Sequence, residues 1–224
     1  MVVNPHHLKK DELIIFLTGR CRHRNLYYKE PACFEKEILN NNKKLRIGIL
    51  DIEIFGLNFN ADGGIVLTYY IKEHDKNIFY HGHIDYNDFI TKLDKPIIKN
   101  LINDLKKFNV IISFYGDYFD LPFIRTRSVI HGLNFIQYGD IKSIDLYRTM
   151  KHKFKLHSNS LKNACKVFGI DGKTEIDFYT WIRAIAGDKK ALNDIIEHNR
   201  HDVIITDKLY NKIIQYERKL NRSI

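Results

Sequence analysis

Four acidic residues stand where expected strands and helices begin or end, and their side chains could together bind metal ions. Asp51 and Glu53 close an apolar run that begins at Leu45, Asp120 follows a glycine turn, and Asp202 lies in the last helical pattern. Residues two apart on a strand share a face. Carboxylate oxygens are the ligands that Mg²⁺ and Mn²⁺ prefer. An isolated Asp-x-Glu pair is more often a solvated strand end. The metal-binding interpretation of this pair therefore depends on the other acids.

A histidine precedes the last of these acids by one helical turn. His198 and Asp202 are four residues apart in the segment HNRHD, which places both on one face of a helix. The ordinary pKa of histidine is about 6.5, so this side chain could accept a proton from water near neutral pH. A lone histidine at a helix start is usually structural, but its placement before Asp202 favours a catalytic interpretation.

The elements that must position these residues change in type along the chain. Runs of β-branched and aromatic residues predict an antiparallel meander of three strands, at 45–53, 64–72 and 77–83. Later segments predict strands at 110–114 and 141–146, and helices at 96–108, 120–131, 158–168, 189–196 and about 198–218. This order predicts an α/β fold whose mixed central sheet is flanked by helices.

Three motifs occur in a fixed order along this chain. They are D-x-E at 51–53, G-x-x-F-D-L-P at 116–122 and H-x-x-x-D at 198–202. Over about residues 45–216 the chain resembles the DEDD superfamily of 3′→5′ exonucleases. It is most similar to the ribonuclease H-like exonucleases related to the proofreading domain of family-B DNA polymerases, where the second motif also continues into Leu-Pro.

The resemblance implies a role for each motif residue. Asp51, Glu53, Asp120 and Asp202 would bind two divalent ions, Mg²⁺ or Mn²⁺, and His198 would be the general base of the histidine subgroup (DEDDh). The implied activity is metal-dependent 3′→5′ hydrolysis of single-stranded DNA or RNA with a free 3′ end, releasing 5′-mononucleotides. The implied fold is ribonuclease H-like.

The second motif departs from the family pattern at one position. Many relatives carry Asn before the glycine, where this chain has Tyr115, so the backbone turn is kept and a side-chain contact is lost. Asp117, in the same turn, could compete as a metal ligand, although the Phe-Asp pairing favours Asp120. For Asp145, at the end of a predicted strand, we favour a structural role.

The resemblance also predicts a groove for a single strand around the acids. Arg125, Arg127 and Lys155 could contact phosphates, and Tyr115 and Tyr118 could stack on bases. The formal net charge of 36 − 27 = +9 suits a polyanionic partner. That charge carries only supporting weight, because AT-rich coding would also enrich lysine.

Residues 1–44 are expected to form a basic N-terminal extension before the main domain at 45–224. Cys21, His23 and Cys33, with one of two upstream histidines, could bind zinc. Cys-x-His is not the usual paired-cysteine pattern, and residues 11–17 predict a short helix that packs on the main domain. We therefore favour the interpretation in which these cysteines are incidental.

The remaining sequence features narrow the class of protein. No apolar run approaches the roughly 18 residues of a membrane span, and the start of the chain lacks a signal-peptide pattern, which predicts an intracellular, cytoplasmic protein with no membrane partner. The tripeptide GKT at 172–174 lacks the preceding glycine of a nucleotide-binding loop. Two other functions stay open: a ribonuclease H-type endonuclease, and a non-catalytic module that binds nucleic acid. The sequence indicates no particular protein partner.

Overall fold

A central sheet organises the computed structural model, which describes residues 3–21, 23–35, 37, 46–56, 60–137, 139–172 and 174–216. The described strands are β1 (Ile47–Gly56), β2 (Gly64–Glu73), β3 (Phe79–His83), β4 (Val110–Ser113) and β5 (Lys142–Asp145). They form one five-stranded sheet in the order β3-β2-β1-β4-β5. β1, β2 and β3 pair antiparallel, whereas β1 with β4 and β4 with β5 pair parallel. The predicted α/β fold with a mixed sheet is therefore confirmed.

Helices cover both faces of the sheet. They are α1 (Lys10–Thr18), α2 (Pro31–Phe34), α3 (Tyr86–Lys92), α4 (Lys95–Leu105), α5 (Asp120–Ile130), α6 (Leu146–Lys153), α7 (Leu161–Val167), α8 (Phe178–Ile185) and α9 (Lys189–Ile213). The described part of the chain contains no helix with the length and apolar character that crossing a bilayer requires.

Side chains along β1 alternate between the two faces of the sheet, and different helices pack on each face. Ile47 and Ile49 belong to the apolar cluster that includes α9, α7, α6 and α1. Leu50 and Ile52 belong to the cluster that includes α4 and α5. Because strand side chains alternate between faces, the next odd-numbered residues of β1 lie on the face covered by α9.

Some helices and strands differ from the sequence prediction. The helices expected at 189–196 and 198–218 form one helix, α9, because Glu197 between them is a good helix former and neither Gly nor Pro interrupts the pattern. The strand expected to reach Leu146 ends one residue earlier. Asp145 accepts a hydrogen bond from Tyr147 N at 2.9 Å and so caps α6, a helix that the sequence analysis did not predict. Residues 217–218 and Leu45 lie outside the described residues.

The N-terminal segment packs on the α9 side of the sheet. Its helix α1 confirms the short helix predicted at 11–17, and Ile15 and Phe16 are buried in the same cluster as Ile47. The rings of Phe16 and Tyr27 each meet Phe34 edge-on, at centroid distances of 5.0 and 5.4 Å. The boundary expected between residues 44 and 45 lies outside the described residues.

A buried ion-pair network joins strand β2 and the start of α4 to helix α5. Asp94, at the start of α4, is fully buried and accepts hydrogen bonds from Val66 N at 2.9 Å and Arg127 Nε at 3.0 Å. His131 Nε2 lies 2.6 Å from the same carboxylate. Burial raises the pKa of Asp94, but the bonds from Arg127, Val66 and His131 outweigh it and leave this pKa below its ordinary value.

Arg127 was expected to contact phosphates, and that expectation is wrong. Its side chain is 4% exposed and its guanidinium is committed to Asp94 and to the carbonyl oxygen of Ala61. Arg125, two residues earlier on the same helix, points to the exposed side of α5. The helical period of 3.6 residues separates the two arginines onto different faces.

We expect Arg127→Ala to lower the free energy of unfolding by about 3–5 kcal/mol, because it leaves the buried Asp94 carboxylate without its main partner. Arg125→Ala is the matched control, with an expected change within about 0.5 kcal/mol for an exposed residue. Urea denaturation followed by circular dichroism measures both. Equal stability of the two variants would contradict this account of the network.

Candidate active site

Asp51 and Glu53 lie near the end of β1, on the face that α9 covers. Asp51 is opposite Tyr70 and Glu53 is opposite Thr68 in the antiparallel register with β2. Ile52 between them points into the opposite cluster and is buried there. Both acids are half-buried.

Helix α9 brings three polar side chains to these two acids. Asn199 Nδ2 donates a hydrogen bond to Asp51 Oδ2 at 2.6 Å. His198 Nε2 lies 3.6 Å from Glu53 Oε1 and 4.0 Å from Asp202 Oδ2. One ligand atom from each of Glu53, His198 and Asp202 lies within 4.8 Å of the others. The first and third motifs therefore meet across the β1–α9 interface.

Asp120 reaches the same strand from the start of α5. It is buried, and its Oδ1 accepts a hydrogen bond from Ile52 N at 3.1 Å, so its carboxylate meets β1 at the residue between the two acids. Burial raises the pKa of Asp120 to about 7, against backbone hydrogen bonds that lower it, and the charge of Asp145 adds to the rise. In the described part of the chain, Asp120 forms no ion pair with lysine or arginine.

The turn that precedes α5 is fixed by Asp145. Its carboxylate accepts hydrogen bonds from Tyr115 N at 2.8 Å and Asp117 N at 3.1 Å, which agrees with a structural role. Burial raises the pKa of Asp145, and these backbone bonds oppose that rise. At Gly116, a Cβ atom would lie 2.2 Å from Ser113 Oγ, so a side chain does not fit there.

Tyr115 occupies a left-handed backbone conformation. Its φ is +70°, in the left-handed region where Asn is enriched and a large side chain is uncommon. Asp117 contacts Ser143 and Arg148 on the β5 and α6 side. Of the two acids in this turn, Asp120 is therefore the one that bonds to β1.

Two residues that support this cluster were missed in the sequence analysis. Asn199 is fully buried, and besides bonding to Asp51 it accepts a hydrogen bond from Thr68 Oγ1 at 3.4 Å. Thr174 Oγ1 lies 2.6 Å from His198 Nδ1. The buried face of α9 repeats with helical spacing at Ile195, Asn199, Asp202 and Thr206, a signal that could have identified Asn199. No local signal could have identified Thr174, because a loop brings it to α9.

The donor set of this cluster fits a hard divalent cation. Carboxylate oxygens and an imidazole nitrogen are its available ligand atoms. Asp120 is a buried acid that accepts hydrogen bonds from the backbone N–H groups of Ile52 and of Asp120 itself. Like-charged carboxylates at close range repel one another, and a bound cation would relieve that repulsion.

An aromatic and basic surface adjoins the turn. Tyr115 and Tyr118 are 45% and 52% exposed, and their rings stack with a centroid distance of 5.2 Å. The Arg148 guanidinium lies 5.7 Å from the centre of the Tyr118 ring. Tyr118, Arg125 and Arg148 line a groove of about 720 Å³. Lys155 is exposed but does not line this groove.

Comparisons with known proteins give three findings. A family model described as RNase_H superfamily matches residues 49–214. A DNA polymerase of Methanocaldococcus jannaschii is 27% identical over 186 residues, which cover 74% of this chain and 10% of that protein. The family B DNA polymerase from the hyperthermophilic archaeon Pyrobaculum calidifontis superposes with a TM-score of 0.63 at 17% identity, covering 76% of this chain and 25% of that chain. At this identity the structural likeness shows the fold alone, and the chain spans a tenth and a quarter of the two polymerases.

The raised pKa of Asp120 predicts how the stability of the metal-free protein depends on pH. The folded protein holds the Asp120 proton more tightly than the unfolded chain does. The contribution of Asp120 to the free energy of unfolding is therefore highest below the ordinary aspartate pKa of 3.8 and falls as pH rises through about 7. Asp120→Asn removes this titration, and we expect it to raise the Tm of the metal-free protein at pH 8 by roughly 5 °C. The gain should shrink at pH 5.

Calorimetry in chelator at both pH values measures this effect. The matched control is Asp85→Asn, because Asp85 is an exposed N-cap of α3 and Asn caps a helix equally well. A lower Tm for Asp120→Asn at pH 8, or an equal gain in the control, would contradict the assignment.

Proposed function

This chain belongs to the RNase_H superfamily, and on that premise we propose that it is a metal-dependent 3′→5′ exonuclease acting on single-stranded nucleic acid. Membership confirms the ribonuclease H-like resemblance predicted from the motifs, and the two polymerase relatives agree with the expected link to family-B DNA polymerases. Family and relatives together support a nuclease-type function. The 3′→5′ direction, the single-stranded substrate and the use of divalent metal ions are what we propose beyond that.

One observation carries the proposal: acids far apart in sequence meet around β1, beside a histidine. Asp120 bonds to the backbone between Asp51 and Glu53, and Glu53 lies with His198 and Asp202 in one cluster. A solvated strand end would not gather buried and half-buried acids from three separate elements. We infer that Asp51, Glu53, Asp120 and Asp202 hold divalent cations, Mg²⁺ or Mn²⁺.

Bound there, two such cations would supply Lewis-acid activation of a water and stabilisation of the leaving 3′-oxygen. The protein's own groups would handle the proton and the geometry. His198 presents Nε2 toward Glu53 and Asp202, and Nδ1 toward Thr174. If Nδ1 carries the hydrogen and donates it to Thr174 Oγ1, Nε2 keeps a lone pair that can accept the proton of the attacking water.

Asn199 is a positioning residue in this scheme. It holds Asp51 through a 2.6 Å hydrogen bond and is itself held by Thr68, on the strand next to β1. Partners behind metal ligands orient them, and losing such a partner typically costs about 10- to 100-fold in affinity or activity.

The surface beside the turn suits a single strand whose 3′ end enters the cluster. The stacked Tyr115 and Tyr118 offer flat faces to bases, and Arg148 and Arg125 offer positive charge to phosphates. Such contacts tolerate any base sequence. They leave the choice between DNA and RNA to groups on the sugar.

The first test is a gel time course with matched DNA and RNA oligonucleotides labelled at the 5′ end, with the 3′ end free or blocked, in Mg²⁺, Mn²⁺ or chelator. We expect a ladder that shortens one nucleotide at a time, requires metal and stops at the 3′ block. Asp51→Asn should lower the rate roughly 10²-fold or more while strand binding persists, because an amide is a poorer cation ligand. Asp85→Asn, at the exposed N-cap of α3, is the control.

Two other outcomes would replace the proposal. Internal cuts despite the 3′ block would indicate a ribonuclease H-type endonuclease. Intact oligonucleotides in every lane, with retained strand binding, would indicate a non-catalytic binding module.

Thr174 offers a separate prediction about the histidine. Thr174→Val should lower kcat roughly 10-fold and leave KM for the strand nearly unchanged, because it removes the partner that orients the His198 ring. Thr174→Ser keeps the hydroxyl and should restore most of the activity. Unequal Tm values for the two variants, with activities that follow stability, would indicate a merely structural role.

A further inference from the structure

A second cluster of metal-ligating side chains lies in the N-terminal segment, away from the candidate active site. Cys21, His23, Glu30 and Cys33 each place one ligand atom within 4.8 Å of the others. From the sequence, Cys21, His23 and Cys33 were expected as candidate zinc ligands, with His6 or His7 as the fourth. Within the described residues, the cluster takes Glu30 in that place.

Local backbone structure positions the first two of these ligands. A tight turn is closed by hydrogen bonds from Cys21 N to Asn25 O and from Arg24 N to Cys21 O, both 2.8 Å. Arg24 adopts φ of +69°, which reverses the chain within the turn. Cys21 and His23 therefore lie on one turn.

The start of helix α2 supplies the other two ligands. Glu30 is the residue that precedes α2, Pro31 opens the helix, and Cys33 lies within its single turn. Asn25 donates a hydrogen bond to Glu30, so the first turn also orients the second pair. Four ligands thus come as two pairs from two short segments, an arrangement typical of structural zinc sites.

Five of the six distances between the ligand atoms are close to the edges of one zinc tetrahedron. Zinc bonds of about 2.3 Å to sulfur and about 2.0 Å to nitrogen or oxygen give tetrahedral edges of roughly 3.5 Å from sulfur to nitrogen or oxygen. His23 Nδ1 lies 3.7 Å from Cys21 Sγ and 3.5 Å from Cys33 Sγ. Glu30 Oε2 lies 3.4 and 3.2 Å from the same sulfurs, and 3.6 Å from His23 Nδ1.

We propose that Cys21, His23, Glu30 and Cys33 bind one Zn²⁺ ion in a closed, structural site. Two thiolates and an imidazole select a softer ion than the acids around β1 do. Cys21 is buried, whereas the His23 side chain is 58% exposed, which leaves an entry path for the ion. This assignment replaces the interpretation of the two cysteines as incidental.

The zinc ion would cross-link the turn at residues 21–25 to helix α2. Tyr27 and Phe34, which follow the two ligand pairs, pack edge to face in the cluster shared with α9. Arg20, directly before Cys21, lines the same groove as Tyr118 and Arg148. The metal would therefore hold Arg20 at that groove as well as stabilise the segment.

A third cluster of potential metal ligands is already neutralised by a lysine side chain. His74, Asp75 and Asp207 also lie close together, but the Lys72 ammonium contacts Asp207 directly. The His74 ring bonds to both acids, at 3.2 and 2.6 Å. That cluster is an ion-pair network, whereas sulfur ligands and tetrahedral edges distinguish the N-terminal one.

The test uses the full chain, stripped with chelator and dialysed with Co²⁺ or Zn²⁺. Co²⁺ should give tetrahedral visible bands and thiolate charge-transfer absorption, and one equivalent of Zn²⁺ should abolish both. Only sulfur ligands give the charge-transfer band, and the candidate active site contains no cysteine, so metal bound around β1 does not interfere. Elemental analysis should then find one zinc per chain.

Variants make the test specific. Cys33→Ser should remove much of the charge-transfer band, and His23→Ala, at an exposed side chain, should weaken Zn²⁺ binding at least about 10-fold without unfolding the chain. Cys165→Ser changes the buried cysteine of α7 and should leave the band intact. Substoichiometric zinc in the elemental analysis, an unchanged band in Cys33→Ser, or a Cys21–Cys33 disulfide found by mass spectrometry in protein prepared under reducing conditions would overturn the proposal.

Discussion

The cost of burying negative charge is the constraint on which the rest of the structure depends, because several acidic side chains are buried beside the central sheet. Asp94 meets that cost with Arg127 and His131, and Asp207 meets it with Lys72 and His74. Asp120 is different: its carboxylate accepts hydrogen bonds from backbone N–H groups, and burial raises its pKa to about 7. Under the proposed function, a divalent cation held by the acids around β1 would serve as the counterion of Asp120 once it is ionised.

The sheet and helix α9 together determine which acids meet. β1 presents Asp51 and Glu53 on the face that α9 covers, and α9 carries Asn199 and Asp202 on its buried face. The turn before α5, held by the Asp145 carboxylate, delivers Asp120 to the backbone of β1 from a third direction. Rigid strands and a long helix hold such a constellation more exactly than loops do.

The two proposed metal sites divide the work by ligand chemistry. Carboxylates around β1 suit hard, exchangeable cations that take part in a reaction, whereas the thiols near α2 suit an ion that stays bound and stabilises the fold. Arg20 connects the two, because it precedes Cys21 and lines the groove beside the turn that carries Asp120. The N-terminal segment is thereby joined to the proposed substrate surface.

The mixed α/β sheet, the order of its strands along the chain and the three motifs could be predicted from the sequence, because period-two and period-3.6 patterns and motif order are local properties. It could not determine partners distant in the chain. The sequence predicted Arg127 as a surface cation, whereas in the structure α5 directs it toward the buried Asp94. No local pattern linked Thr174 to His198, or Glu30 to the two cysteines. These contacts are visible only in the folded protein, because each depends on packing between segments that are far apart in the sequence.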